Sequence, residues 1–374
     1  MCGGYPEPDR EHISRLPGAA PGTAWGMSQR VQVAVVADPG LAADVVTGIA
    51  DGLVDRLRAE VDDEVDWQVE VVSDRFAADA RGTVRDAEAV VRGRLGDEDA
   101  GDLWVCLTDL PRRDRGAAVV GETDQDSRIG VASLPALGAH DLAARVSAAL
   151  TTLVAELRGA EAPPLPSTRR VEDPARAGVK YLSRGPRGRL RLVAGMVRAN
   201  RPWRLALDLT GVLVAAVGTG SYCLLIATVW QLGSRLSPLR LAVATALSVV
   251  GLVGWLILSH RLWERPSERV HPQQARLYNA VTVLTLAFGV LTLYSALFLL
   301  VFSAELLVLN PSVFQAQVGH PPSTGDRVGV AWFASSVATV AGALGSKLES
   351  DESVRAAAYG NRQRGHPEPG TESG

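Results

Sequence analysis

The residues best suited to chemistry are charged side chains that follow two apolar runs in the first third of the chain. The runs VQVAVVA and LWVCLT end directly before Asp38 and Asp109, and Arg112 and Arg113 lie in the loop after the second run. If both runs are strands of one parallel sheet, their carboxyl ends share the edge at which such sheets bind ligands. We therefore take Asp38, Asp109, Arg112 and Arg113 as candidate ligand-binding residues. The alternative is that these charged loops only solvate the edge of the sheet.

The sequence contains no recognisable catalytic or metal-binding motif. Its six histidines never occur at the HExxH spacing, and no serine lies in a GxSxG motif. A phosphate-binding GxxxxGK motif is also absent, since Lys180 and Lys347 are the only lysines. Glu122, Asp124 and Asp126 alternate like metal ligands, but a hairpin turn explains them better because a calcium loop needs a central glycine and a terminal glutamate. We expect no metal, no cofactor and no catalytic residue, and the sequence leans against an enzyme.

Residues 27–160 alternate apolar runs with amphipathic segments. Strands are predicted at 31–37, 67–73, 103–108, 117–121 and 128–133, and helices at about 41–61, 83–95 and 140–158. Strands that alternate with helices favour a mainly parallel sheet with helices on both faces. The segment holds 25 acidic and 14 basic residues, a net charge of −11. We therefore predict a soluble, acidic α/β domain over residues 27–160.

The second half of the chain contains four long segments without Asp, Glu, Lys or Arg. They are residues 209–234, 241–260, 277–304 and 328–346. A helix needs about 20 mostly apolar residues to cross roughly 30 Å of hydrocarbon, and each segment is close to that length or longer. The prediction is an all-α bundle of four transmembrane helices within residues 204–348, at about 205–231, 240–260, 278–304 and 328–347.

The distribution of basic residues predicts which ends of these spans face the cytoplasm. Basic residues are dense before the first span, between the second and third, and after the fourth, whereas the other two loops hold Arg235, Arg240 and Arg327. Because positively charged loops stay on the cytoplasmic side, both termini and the α/β domain are expected there. The predicted location is the cell membrane, with several passes.

Both ends of the chain are predicted to be disordered. Residues 1–26 are rich in Pro and Gly and lack the apolar core of a signal peptide, and residues 349–374 form a polar tail. Met27 directly precedes a well-patterned segment, so the sequence leaves open whether Met1 or Met27 is the first residue.

Residues 161–203 are predicted to form a basic linker. The stretch from Glu161 to Arg204 holds 11 basic and 3 acidic residues, a net charge of +8. Its segment RGRLRLVAGMVRANR gathers apolar side chains on one helical face, which favours an amphipathic helix lying on anionic lipid headgroups. The alternative is a helix packed on the α/β domain. The apolar face comprises Leu190, Val193, Met196 and Val197, and the residues expected at the lipid surface are Arg187, Arg191, Arg198 and Trp203.

The fourth predicted span carries a small residue at every fourth position. Ala334, Ala338, Gly342 and Ser346 follow this spacing, which lets helix backbones approach closely. These are candidate helix-packing residues, with packing inside the bundle and homo-oligomer formation as the two alternatives.

Ionisable residues within membrane helices are functional candidates. Glu305 lies at the far end of the third predicted span and is expected to reach water. The sequence has no charged pathway through the middle of the predicted bundle.

Two stretches carry a family resemblance. The segment from Val330 to Gly360, together with Arg201-Pro202-Trp203-Arg204, resembles an actinobacterial family of uncharacterised multi-pass membrane proteins, over most of the chain from about residue 30. Members are sometimes given the automated name methylenetetrahydrofolate dehydrogenase. That name is not supported here, because the folate enzymes use a Tyr-xxx-Lys motif, whereas Lys180 lies in the basic linker and Lys347 ends a predicted span.

The order of elements in the α/β domain also resembles that of archaemetzincins. Thr108-Asp109 and the strand Ile129–Leu134 match a TD-containing strand and the strand that follows it in that family. The segment Asp141–Leu157 matches the zinc-binding helix, but it has Ala, Val and Leu where two histidines and a glutamate belong. The resemblance therefore implies a degenerate domain without the catalytic zinc.

These patterns favour a membrane-anchored binding, regulatory or scaffold protein with a cytosolic α/β domain. Its expected partners are anionic lipid headgroups and a cytosolic protein or small ligand, and no nucleic acid is expected. A membrane-tethered enzyme acting at the strand ends and a small transporter are the alternatives.

Overall fold

The computed structural model describes residues 29–74, 103–173, 177–203, 209–265 and 272–345, with Val84, Ala87, Glu88 and Val91. The predicted N-terminal extension, the predicted C-terminal tail and most of the predicted helix 83–95 lie outside these residues. The described chain forms two parts, which we call the sheet domain (residues 29–199) and the helical region (residues 209–345).

The sheet domain is built on one eight-stranded mixed sheet. Its strands are β1 Arg30–Ala37, β2 Asp66–Ser73, β3 Leu103–Thr108, β4 Arg113–Asp114, β5 Ala117–Asp124, β6 Ile129–Ser133, β7 Arg169–Asp173 and β8 Gly178–Ser183. The order is β2-β1-β3-β6-β5-β8-β7, with β4 paired to β5. The first four strands in this order are parallel to one another, and all pairings that involve β4, β5, β7 and β8 are antiparallel.

The predicted mainly parallel sheet is thus correct for only half of the strands. A four-residue turn joins β5 to β6, which forces antiparallel pairing because a parallel connection needs a long crossover. The sheet also continues past residue 160, where the sequence predicted a domain boundary, since β8 pairs with β5 and β7 pairs with β8. β7 (RRVED) is a largely exposed edge strand without an apolar run, so nothing in its composition distinguished it from a linker.

Helices cover both faces of the sheet, as expected. They are α1 Leu41–Glu60, the short α2 Leu134–Leu137, α3 Leu142–Arg158 and α4 Gly185–Ala199. On one face α1, α3 and α4 bury a core around Val33, Val35, Leu53, Leu150 and Leu153, each without exposed surface. On the other face the helical residues Val84, Ala87 and Val91 pack on Trp104, Cys106 and Ile129.

The helical region contains three helices that are long and apolar enough to cross a membrane, which is consistent with a membrane protein. Its elements are α5 Thr210–Cys223, α6 Ala227–Arg235, α7 Pro238–Ser259, α8 Pro272–Val308, α9 Pro311–Val318 and α10 Thr324–Gly345. The three candidates are α7, α8 and α10. A fourth would need α5 and α6 to count as one span, although they meet at 88°.

The bend between α5 and α6 corrects the prediction of one transmembrane helix at about 205–231. Ile226 adopts an extended backbone conformation that stops the helix, and the indole Nε1 of Trp230 donates to the carbonyl of Leu224 at 3.0 Å. This bond satisfies a carbonyl that the break removes from the helical hydrogen-bond ladder, which an apolar environment requires. A count of apolar residues contains no information on chain direction and therefore missed the bend.

Close backbone contact fixes α6 against the start of α10. A Cβ at Gly233 would lie 2.6 Å from Cα of Val330, and one at Gly329 would lie 2.3 Å from the carbonyl oxygen of Gly233. Helix α5 packs along the rest of α10 in a similar way, because a Cβ at Gly345 would lie 2.2 Å from the carbonyl oxygen of Gly211. Larger side chains at these glycines cannot be accommodated without separating the helices.

The candidate packing residues on α10 lie inside this interface. Ala334 and Ala338 have no exposed surface, and a Cβ at Gly342 would lie 3.0 Å from the Val212 side chain on α5. Ser346 lies outside the described residues. The described part of the stripe therefore faces α5 and its neighbours within the chain.

A network of polar side chains joins α7, α8 and α10 near their middles. Trp332 Nε1 donates to Thr245 Oγ1 at 2.7 Å, and Thr245 Oγ1 lies 3.0 Å from the hydroxyl of Tyr294. The Tyr294 hydroxyl lies 3.0 Å from Ser336 Oγ, and Ser248 Oγ donates to the Ser336 carbonyl at 2.8 Å. Polar side chains that hydrogen-bond across helices stabilise helix association where apolar burial contributes little.

The close approach at Gly233 can be tested against a glycine that has free space. Gly233→Ala should destabilise the protein by about 1–3 kcal/mol, the usual cost of overpacking, because its Cβ meets the backbone of Val330. Thermal unfolding of the full chain in detergent measures this effect. The matched control is Gly251→Ala in α7, where a Cβ meets nothing within 4 Å and helix propensity favours alanine. An unfolding temperature lowered equally in both variants would contradict the packing account.

Candidate functional site at the junction of the two parts

The carboxyl ends of β1 and β3 are adjacent, as the sequence predicted, and their polar groups bond to one another. Asp38 Oδ2 accepts hydrogen bonds from Thr108 Oγ1 at 2.7 Å and from the backbone N–H of Asp109 at 3.0 Å. Directly beneath, burial raises the pKa of the Cys106 thiol, and the Asp38 carboxylate raises it further. Asp38 therefore ties two strand ends together, and burial together with its charge keeps Cys106 neutral.

The two candidate arginines form contacts with β5, β6 and the β4–β5 turn. Arg112 is buried and forms an ion pair with Glu122 on β5, and it also donates to the carbonyl of Val131 at 3.3 Å. Arg113 Nη2 donates to the carbonyl of Gly116 within the β4–β5 turn at 3.4 Å. The structure thus brings Asp38 and Asp109 together and directs Arg112 into the sheet.

Glu122 is the centre of a charge cluster that sequence reasoning missed. Its Oε1 lies 3.5 Å from Lys180 Nζ, which also lies 3.0 Å from Asp173 Oδ2. Burial lowers the pKa of Lys180, but the carboxylates of Asp173, Glu122 and Asp114 outweigh burial and raise it overall. The cluster joins β4, β5, β7 and β8, so it stabilises the antiparallel half of the sheet.

A second buried carboxylate, that of Glu156, connects α3 to β7 and β8. Glu156 Oε1 accepts from the hydroxyl of Tyr181 at 2.6 Å and from Arg170 Nε at 2.7 Å. Burial raises the pKa of Glu156, but hydrogen bonds from Arg170 and Tyr181 outweigh it, and the pKa is lowered overall. Glu156 lies in the segment that resembles a zinc-binding helix, and its carboxylate is engaged by Arg170 and Tyr181. Within the described ranges, no group of three or more His, Cys, Asp or Glu side chains could hold a metal ion.

Helix α4 packs on the sheet domain and does not leave its whole apolar face free for lipid. Leu192 and Met196 are buried in the core of that domain, and a Cβ at Gly195 would lie 2.1 Å from the carbonyl oxygen of Pro135 in α2. Leu190, which the sequence placed on the apolar face, is 70% exposed. The alternative interpretation, a helix packed on the α/β domain, therefore describes its contacts better. The face in closest contact contains two glycines, Gly188 and Gly195, and hydropathy does not distinguish such a face.

The end of α4 connects the sheet domain to the helical region. Asn200 Nδ2 donates to Thr285 Oγ1 on α8 at 3.1 Å, and Arg201 forms an ion pair with Asp44 on α1. Val281 of α8 is buried in the core of the sheet domain. Helix α8 has 37 residues and is roughly 55 Å long, so it exceeds the thickness of a bilayer core, and its first four turns provide this contact.

The candidate lipid-surface residues divide into two groups. Arg187 and Trp203 are exposed. Arg198 is half-buried, with its guanidinium 4.4 Å from the centre of the Trp203 ring. Burial and the neighbouring Arg145 lower the pKa of Arg191, which packs beside α2 and α3. Two of the four residues are therefore directed outwards.

Comparison with known proteins finds no matching family model, no matching curated protein and no matching solved structure. The resemblances to an actinobacterial membrane-protein family and to archaemetzincins stay predictions.

The charge cluster leads to a stability prediction. Glu122→Gln should destabilise the full chain by about 3 kcal/mol or more, because Arg112 and Lys180 lose the carboxylate that pairs them in a buried site. Denaturant unfolding followed by tryptophan fluorescence measures the change. Glu172→Gln is the matched control, since this carboxylate is 75% exposed and its ion pair with Arg170 should contribute less than about 1 kcal/mol. Equal effects of the two substitutions would contradict the role assigned to Glu122.

Proposed function

We propose that this chain is a multi-pass protein of the cell membrane that holds a binding or regulatory domain at the cytoplasmic face. Helices α7, α8 and α10 would each cross the bilayer, and α5 with α6 would form a broken fourth span. The observation that carries the proposal is the junction, in which α4 and the start of α8 join the sheet domain to the end of the helical region.

The contacts at the junction indicate that the sheet domain is packed against the helical region, and they disfavour a sheet domain attached only through a flexible linker. Asn200, Arg201 and Val281 each contact the other part or stabilise the segment between the parts. A change of conformation at the sheet domain would therefore act directly on α8. An enzyme that acts at the strand ends is disfavoured because Asp38 and Arg112, two of the candidate ligand-binding residues there, are engaged in contacts within the fold.

Exposed arginines on both parts of the chain support attachment to anionic lipid. They lie on α4, on the connection after α7 and at the start of α8, and we call them the basic collar: Arg184, Arg187, Arg189, Arg261, Arg265 and Arg276. Each arginine near an anionic surface contributes about 1 kcal/mol of attraction. Because positively charged segments stay on the cytoplasmic side, the same residues support a cytoplasmic sheet domain.

The proposed topology predicts opposite accessibility for two exposed glutamines. In a variant without the native cysteines, Gln315→Cys in α9 should react with a membrane-impermeant maleimide on intact cells. Gln274→Cys at the start of α8 should react only after the cells are lysed. Labelling of residue 274 on intact cells would contradict the proposed orientation.

The basic collar predicts how the sheet domain binds lipid. A fragment of residues 29–199 should bind vesicles that contain anionic lipid and dissociate as salt rises, because the Debye length falls to about 3 Å at 1 M salt. Replacing Arg184, Arg187 and Arg189 with Gln should weaken binding by roughly a hundredfold, from about 1 kcal/mol per arginine. Vesicle co-sedimentation measures both effects.

The control for this experiment removes the same charge elsewhere on the domain. Arg115, Arg128 and Arg169 are exposed and belong to turns and the edge strand outside α4, so their replacement with Gln should change binding little. Equal weakening by both triple variants, or equal binding to neutral vesicles, would show that α4 does not attach the domain through its charge.

A further inference from the structure

Two short helices cover the end of the helical region that lies away from the sheet domain. The rings of Trp230 on α6 and Phe314 on α9 lie 6.3 Å apart at an interplanar angle of 26°. Gln231 Nε2 donates to the carbonyl of Gln317 at 3.0 Å, and Phe314 has no exposed surface. These contacts belong to an apolar core that is separate from the junction described above.

Glu305 lies in this core and does not reach water, contrary to the sequence expectation. It has no exposed surface, and neither of its carboxylate oxygens has a hydrogen-bond partner among the described residues. The charged groups close enough to act on it belong to α10: Arg327, which attracts it, and Asp326, which repels it. Asp326 Oδ2 accepts from Ser323 Oγ and lies 3.7 Å from His320 Nδ1.

Glu305 lines a cavity of about 180 Å³ whose other walls are mostly apolar. The cavity is lined by Leu224, Leu225, Trp230, Glu305, Val308, Leu309, Asn310 and Val313. An engineered apolar cavity of about 150 Å³ holds one benzene molecule, so this cavity can hold a group of similar size. Leu225 and Val308 are largely exposed, at 71% and 62%, and mark its open side.

The lining selects among positively charged ligands. A metal ion would need several oxygen ligands, but the side-chain oxygens of the lining come from Glu305 and from Asn310, whose Oδ1 already accepts from Ser312. An organic ammonium needs only one carboxylate for its charge, and its carbon atoms can pack on the leucines and valines. Trp230 also lines the cavity, and an electron-rich indole ring attracts such a cation.

We propose that the cavity beside Glu305 is a binding site for a primary organic ammonium ion carried on an apolar body of about seven carbon atoms. The ammonium group donates to the Glu305 carboxylate, whose side chain turns towards the cavity when the ligand binds because both of its oxygens are buried in the free protein. The apolar body fills the space between α6, α8 and α9. This inference goes beyond the function proposed above, because the site lies at the opposite end of the helices from the sheet domain.

Equilibrium dialysis of radiolabelled benzylammonium against the full chain in phosphatidylcholine nanodiscs tests the proposal, with empty nanodiscs as the blank. Benzylammonium should bind saturably at one site, and benzyl alcohol, its neutral isostere, should compete about tenfold more weakly or worse because it lacks the charge. Glu305→Gln should weaken benzylammonium binding by a similar factor. Glu161→Gln, at an exposed carboxylate outside the helical region, should leave binding unchanged.

Two further experiments test the charge of the ligand and its source. Arg327→Gln should tighten benzylammonium binding, since it removes the positive charge that acts on Glu305. Weaker binding in phosphatidylethanolamine nanodiscs would identify a lipid headgroup as the source of the ammonium, and unchanged binding would identify a free amine. Equal competition by benzyl alcohol in the wild-type protein would overturn the proposal and needs no variant to fold. Displacement of bound benzylammonium by sodium ions, with the ionic strength held constant by exchange of salts, would overturn the proposal in favour of an inorganic cation.

Discussion

The packing of α4 between the sheet and α8 is the contact on which the arrangement of the two parts depends. Met196 is buried in the same core as Val281, so one apolar cluster includes residues of both parts. The hydrogen bond from Asn200 to Thr285 lies next to this cluster. Because residues of both parts share this core, we expect the sheet domain and α8 to move together as one body.

The helical region achieves its own rigidity by two different means. Glycines permit backbone contact of α5 and α6 with α10, as at Gly233 and Gly345. On the other side of α10, the hydroxyl groups of Thr245, Tyr294 and Ser336 satisfy one another between three helices. A polar network whose members are paired specifies one arrangement of helices, whereas an unpaired group would be costly in an apolar environment. These contacts favour a rigid anchor over a bundle that opens a path for ions.

Hydropathy and periodicity could predict the elements with a strong local signal. Helices α7, α8 and α10 are long apolar runs, and β1 and β3 are apolar strands whose parallel pairing placed Asp38 beside Asp109. The features that depend on contact between distant residues could not be predicted. The pairing of Arg112 with Glu122 requires the β5 turn, and the burial of Glu305 requires α6 to fold back after Ile226. Helical periodicity also located α4 without identifying its partner, because the same apolar face can contact lipid or protein.

A cysteine pair at Asn200 and Thr285 tests the docked junction most directly. In a variant without the native cysteines, a short bifunctional methanethiosulfonate should link the two introduced cysteines in native membranes, because the polar atoms of the native side chains lie 3.1 Å apart. Mass spectrometry of the linked peptides detects the product. A pair at Arg187 and Thr285 should remain unlinked, because Arg187 lies at the other end of α4, about 20 Å along the helix axis. Efficient linkage of the first pair alone is the result that the account predicts. Reaction of each single cysteine with maleimide, without any linkage of the 200–285 pair, would contradict it.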